Sequence, residues 1–236
     1  MYVGVSVATV WTDPAQVRPI DAPAVAAPAD PAAWTAALGT PERLDLHGRV
    51  VTQALLGEPV VVDAERDGWA RVVLPDQGSS QDPRGYPGWI PAVQLTAERP
   101  AGTPPLLPPG AVVPDCRFDG PGLLAIARLF LGMPYLWSGR SGYGVDCSGL
   151  VNLAHRHFGV RIPRDAHDQE RSGEPVEDAA AGDLVFFANR RGVHHVGMAI
   201  GDGTMLHAPR TGRAVTVTPI TDPAYQGERR TARRFR

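Results

Sequence analysis

The sequence predicts an α+β protein in two parts: a small β-barrel, then a domain in which helices pack on an antiparallel sheet. Three observations carry this. Between Arg49 and Pro91, short β-prone runs alternate with glycine turns. Residues 96–122 are rich in proline, as a stiff interdomain connection would be. Beyond them, two helical patterns precede a block of strand patterns, which is the order of an α+β domain and not of an alternating α/β one.

Taken in order, Val3, Val5, Val7 and Val10 recur at nearly every second position and predict a first strand. From about residue 12 to 43 the composition turns to Pro, Ala and Asp. Inside that insertion, Asp30-Pro31 and Gly39 bracket one short helix, with Asp30 as its cap and Gly39 as its stop. Strands are expected at Arg49–Gln53, Pro59–Val62, Trp69–Leu74 and Gly88–Pro91, with turns at Gly57, Asp67-Gly68 and Gly78. Trp69 and Trp89 are expected in the barrel core, and Trp34 against the barrel.

After Pro121, the run Leu123 to Leu131 closes on Gly132 as a helix. A glycine-punctuated loop, Pro134 to Val145, then leads into Asp146-Cys147-Ser148-Gly149. Leu150, Val151, Ala154 and Phe158 continue at helical spacing and Gly159 stops them. Asp183–Ala188 reads as a central strand. Gly201-Asp202-Gly203 joins His195–Ile200 to Thr204–Ala208 as a hairpin, and Val215 and Val217 suggest a further strand. The arginine-rich end from Arg229 is a solvated tail or a last strand. The domains are thus 1–98, a linker over 99–120, and 121–236.

Composition narrows the function classes. A net charge of −2, with all 23 basic residues Arg, points to neither a nucleic acid nor another polyanion as partner. The two cysteines, Cys116 and Cys147, are too few for a secreted disulfide scaffold. No stretch is long enough to span a bilayer, and Met1–Pro14 does not read as a signal peptide, so a cytoplasmic protein without a membrane partner is expected.

The chemistry gathers at Cys147. A helix N-terminus favours thiolate over thiol, and Cys147 stands at one. With a three-residue hairpin loop, His207 falls across from Gly197 and diagonal to His195, on the same face. Cys147 then attacks, His195 accepts and returns the proton, and His207 orients His195. Cys116 reads as an inert apolar residue, His194 as a surface residue, and His155, His157 and His167 as exposed. A zinc site made of Cys147, His195 and His207 lacks ligand pairs at metal spacing, and no cofactor is implied.

The runs PYLWSG…GVDCSGLV, IPR…Q, GDLVFF, HVGM-x-IGDG and LHAP resemble, in order and spacing, the NlpC-type cysteine peptidases over about residues 121–220. Residues 1–98 resemble the bacterial SH3-like domains that accompany such enzymes. The resemblance implies a papain-like domain acting on peptidoglycan, with Cys147 as nucleophile, His195 as base, His207 as third member and Tyr135 beside the oxyanion. Ser138 stands where the family has the first glycine of Trp-Gly-Gly. The resemblance further implies cleavage between γ-D-glutamate and a diamino acid, typically meso-diaminopimelate. The pairing of domains is similar to the subgroup that trims free muropeptides bearing an unblocked L-Ala. Holding that ammonium would fall to Asp146 and Ser148, and to Glu58 and Tyr86 of the β-domain. The partner is then a small peptidoglycan-derived peptide. An exported hydrolase of intact wall, an acyltransferase and a non-catalytic wall-binding module are the other readings.

Overall fold

The computed structural model describes all 236 residues. Its first part holds β1 (Tyr2–Val3), β2 (Val7–Trp11), α1 (Ala22–Val25), α2 (Pro31–Ala37), α3 (Thr40–Leu44), β3 (Val50–Leu55), β4 (Val61–Arg66), β5 (Trp69–Leu74), β6 (Tyr86–Pro91) and β7 (Leu95–Thr96). Five of these strands form a sheet in the order β3-β2-β6-β5-β4, and every pairing is antiparallel. Val3, Val10, Val60, Val72, Leu74 and Ile90 fill its interior. Burying side chains of this size contributes about 1.5–3 kcal/mol each.

The insertion differs from its expectation. It carries three short helices where one was read. Asp30 does cap α2, its carboxylate accepting the Ala33 N–H at 2.9 Å. Gly39, at φ −75°, is no left-handed stop; it is the residue from which α3 starts. The tryptophans also move. Trp11 and Trp34 are fully buried between barrel and insertion, and Trp69 and Trp89 lie half-buried against that second cluster, outside the barrel core. Trp34 donates its indole N–H to Asp21 at 2.9 Å. That bond lets a polar aromatic be buried without cost from an unpaired donor.

The second part holds α4 (Gly120–Arg128), a small hairpin of β8 (Arg140–Ser141) and β9 (Gly144–Val145), α5 (Cys147–His157) and α6 (Ala166–Ser172). Then come β10 (Glu174–Val176), β11 (Leu184–Asn189), β12 (Gly192–Ala199), β13 (Thr204–His207), β14 (Thr216–Pro219) and β15 (Arg229–Arg234). The last six form an antiparallel sheet in the order β10-β15-β11-β12-β13-β14. The arginine-rich end is therefore an inner strand. Arg233 pairs with Glu170 at 2.7 Å and Arg234 with Asp183 at 2.7 Å, which satisfies two of the charges it brings in. α5 and α4 lie on the sheet over one core that includes Leu150, Phe130, Phe186 and Met198. Val7 and Leu55 of the first part belong to the same core. The proline-rich connection packs too: Pro105 accepts the Gly142 N–H at 2.8 Å, and Leu106 and Leu107 lie on the core. No helix is long and apolar enough to cross a membrane.

Candidate active site

Cys147 is the first residue of α5, and the turn ahead of it is fixed by backbone contact. Asp146 caps the helix, accepting the Gly149 N–H at 2.6 Å. A Cβ at Gly149 would stand 2.0 Å from the Gly139 carbonyl oxygen, so only glycine allows this approach. Ser138 adopts φ +59°, a strained position for a side chain, and its hydroxyl donates to the Val50 carbonyl at 2.9 Å. The Trp137 indole donates to the same carbonyl at 3.2 Å. The departure at Ser138 thus ties the catalytic loop to β3.

The two histidines arrive as the spacing predicts. Met198 pairs with Leu206 and Ala199 with Met205, which brings Gly197 opposite His207. A Cβ on Gly197 would lie 3.3 Å from the His207 Cβ and 2.6 Å from Met205 Sδ, so the glycine makes room for the imidazoles. His195 Nε2 lies 2.8 Å from His207 Nδ1. That leaves His195 Nδ1 for the thiol. His207 Nε2 meets the Thr218 hydroxyl at 3.2 Å. The Tyr225 ring stacks on His195 at 4.9 Å between centroids with an 8° tilt, and its hydroxyl stands 3.4 Å from His207 Nδ1.

Burial sets the protonation. It pushes His195 well below its ordinary value, with the neighbouring His207 adding to the effect. It also brings His207 down to about 4. The Cys147 thiol is pushed up to about 12, first by burial and then by the Asp146 charge; backbone hydrogen bonds from Val196 and Ser148 act the other way. The helix N-terminus alone predicts a thiolate, but desolvation outweighs it here. The resting pair is a neutral thiol and a neutral imidazole. Tyr135 is buried, its hydroxyl raised well above the usual range by burial and then by Cys147. It remains a donor, as an oxyanion partner must.

Cys147, Tyr135, His195 and His207 open on one groove of about 1130 Å³. The segment around the end of the insertion helps to build its wall. His47 stacks on Trp137 at 3.7 Å, and Arg43 donates to the Tyr135 carbonyl at 3.1 Å. His194, the neighbour of His195, sits on the rim and meets Glu228 at 2.9 Å.

The four residues expected to hold a substrate amine lie in buried hydrogen-bond and ion-pair networks. None of them lines this groove. Asp146 pairs with Arg164 at 2.7 Å, and Ser148 accepts from the same guanidinium at 2.7 Å. Glu58 is fully buried, paired with Arg140 at 2.8 Å and Arg156 at 3.0 Å. Burial alone would raise its carboxyl, but Arg140 and then Arg156 draw it below the usual value. A carboxylate so enclosed ties the first part of the chain to the second. Tyr86 is buried and donates to Asp165 at 2.8 Å. His155, expected at the surface, is fully buried between Phe118 and Phe235, its Nδ1 2.7 Å from the Val151 carbonyl. Cys116 is half-buried against the core. Asp165, His167 and Asp168 stand close enough to share an ion, and the group does not include Cys147, His195 or His207. Sequence reasoning missed Tyr225, Thr218, Arg164 and His47. Only Arg164 lay in a recognised run, IPR; the others come from turns and an edge strand without a pattern of their own.

Residues 132–234 match the NlpC/P60 family. Two relatives are each called gamma-D-glutamyl-L-lysine dipeptidyl-peptidase. The one from Bacillus cereus is 34% identical over 99% of this chain and 90% of its own length. That from Bacillus subtilis is 33% identical over 94% of both chains. A crystal structure of an NlpC/P60 family protein from Bacillus cereus superposes with a TM-score of 0.88 at 32% identity, covering 99% of this chain and 98% of that one. With the likeness running from end to end over a groove built for acyl transfer to a thiol, the chain belongs to the NlpC/P60 family as a cysteine peptidase.

Proposed function

We propose that this peptidase hydrolyses the γ-D-glutamyl–diamino acid bond of small cell-wall peptides with a free N-terminal L-Ala, during murein peptide recycling in the cytoplasm. The observation that carries the reading is the Cys147–His195–His207 alignment in one groove, within a chain that matches the two dipeptidyl-peptidases along almost its whole length.

The chemistry follows from the neutral resting pair. His195 Nδ1 takes the Sγ proton as the sulfur attacks the γ-carbonyl of D-glutamate. The imidazolium donates its Nε2–H to His207 Nδ1, and His207 donates its own Nε2–H to Thr218 Oγ1. The Cys147 backbone N–H and the Tyr135 hydroxyl hold the oxyanion. Collapse expels the diamino acid amine, which takes the proton from His195. Water then attacks the thioester with His195 again as base, releasing L-Ala-D-Glu and the free thiol.

The unblocked amine needs a carboxylate. Asp146 and Glu58 are neutralised by buried guanidiniums, so the reading assigns this role to Asp165, which already accepts from Tyr86. Burial raises the Asp165 carboxyl, and an incoming ammonium would restore its charge. Such a site suits peptides already released from glycan. The test is mass spectrometry of digests of L-Ala-γ-D-Glu-meso-diaminopimelate beside its N-acetylated twin. Cleavage of the free peptide at the γ-bond with the twin left intact is expected. Equal cleavage of both would remove the amine site and the recycling role.

A further inference from the structure

We infer that the turn Arg210–Arg213 is a carboxylate-binding subsite on the leaving-group side of the groove, selecting a diamino acid with a second carboxylate over lysine. The inference rests on the peptidase reading above and goes on to the residue released.

Arg210, Thr211 and Arg213 all line the groove beside Cys147. The turn is short and closed, with the Arg213 N–H on the Arg210 carbonyl at 3.1 Å and Gly212 at φ +82°. It is also clamped to the catalytic segment. The Tyr135 N–H donates to the Arg213 carbonyl at 2.9 Å, and Pro134 pairs with Ala214. A side chain on this turn is therefore positioned relative to Tyr135 and the nucleophile.

Both guanidiniums are exposed, and neither enters any of the ion pairs that engage most arginines of the chain. The Thr211 hydroxyl between them is buried in the groove wall and has no hydrogen-bond partner. Of the acidic residues, only Asp222 lines the groove, and its carboxylate accepts the Ala224 N–H at 2.8 Å. Two cations thus face the space with one engaged anion. A carboxylate satisfies both, since guanidinium forks match carboxylate geometry.

The leaving side follows from the other end. Tyr86 and Asp165, which belong to the acyl side in the reading above, contribute nothing to this groove. A lysine side chain would bring a lone ammonium against two cations. Diaminopimelate carries a carboxylate on the same distal carbon as its ammonium, so its end is neutral overall and offers the acceptor that the turn requires. Selection by an attractive contact for one ligand and a repulsive one for the other is efficient discrimination.

The experiment compares kcat/KM on L-Ala-γ-D-Glu-meso-diaminopimelate and L-Ala-γ-D-Glu-L-Lys for the wild type, Arg210→Gln and Arg213→Gln. The wild type is expected to favour the diaminopimelate peptide by about tenfold or more, the worth of one charge-assisted contact. Each variant should lose about that factor on this peptide, mainly through KM, and change little on the lysine peptide. Equal wild-type rates on both peptides would overturn the inference and leave the peptidase reading standing. So would variants that lose both peptides alike, because the arginines would then read the α-carboxylate that both share. Cleavage of neither peptide would overturn the functional reading itself, and this inference with it.

Discussion

At the scale of single residues, burial decides the charge of the catalytic pair. His195 stays neutral well below its ordinary value and Cys147 stays a thiol up to about 12, so the proton moves during attack and not before it. The acid limb of the kcat/KM profile should therefore fall below pH 6.5, the usual histidine value. A limb at or above that value would contradict the neutral pair. The same physics reaches stability. His155 and His207 are held near 4 in the folded chain against 6.5 in the unfolded one. Between those values the unfolded chain binds protons that the folded chain refuses, so stability falls as the pH drops from 6.5 to about 4 and levels off below. Each group accounts for about 3 kcal/mol of that loss. Melting of His155→Leu across this range should show a shallower fall than the wild type, and an unchanged fall would remove His155 from the account. The meeting of His195 and His207 was legible in the sequence because period two and a glycine hairpin fix which face a side chain takes. The partners of carboxylates were not. Glu58 meets Arg140 across 82 residues of chain, and nothing near LLGE announces that guanidinium.

At the scale of elements, the site is two backbone devices. One is the seating of α5, where Gly149 lies on the Gly139 carbonyl; the other is the β12–β13 hairpin, where Gly197 clears His207. Gly149→Ala places a methyl 2.0 Å from a backbone oxygen, and neither segment can withdraw without shifting Cys147. A loss of about 1–3 kcal/mol in denaturant melts is expected, with a fall in kcat. Wild-type values for both would show that the contact is not tight. The elements with strong periodicity, α4, α5 and β11 to β13, were readable to within a few residues. The insertion was not. Its helices span 4, 7 and 5 residues, too short for a periodic face, and their starts are written in Pro and Asp that also occur in loops.

At the scale of the whole molecule, the first domain completes the catalytic one. Arg164, which holds Asp146 under the nucleophile, is itself held through Nε by Thr52 of β3 at 2.9 Å. Arg140 next to the catalytic loop pairs with Glu58, Arg43 holds the Tyr135 carbonyl, and Val50 accepts from Trp137 and Ser138. Buried ion pairs of this kind add little net stability, because desolvation offsets attraction, but a missing partner costs about 3–5 kcal/mol. They fix one docking of the domains, and with it the groove. The order of a small β part before helices on an antiparallel sheet was legible from the glycine turns and the helical and strand patterns, whereas the docking depends on pairings between distant residues. All of this geometry converges on one sulfur. The most direct measurement is the rate at which Cys147→Ala cleaves L-Ala-γ-D-Glu-meso-diaminopimelate beside the wild type. The account predicts a fall of about a thousandfold or more, as for loss of a nucleophile elsewhere. A rate within tenfold of wild type, on the order of 1.4 kcal/mol in barrier, would contradict it.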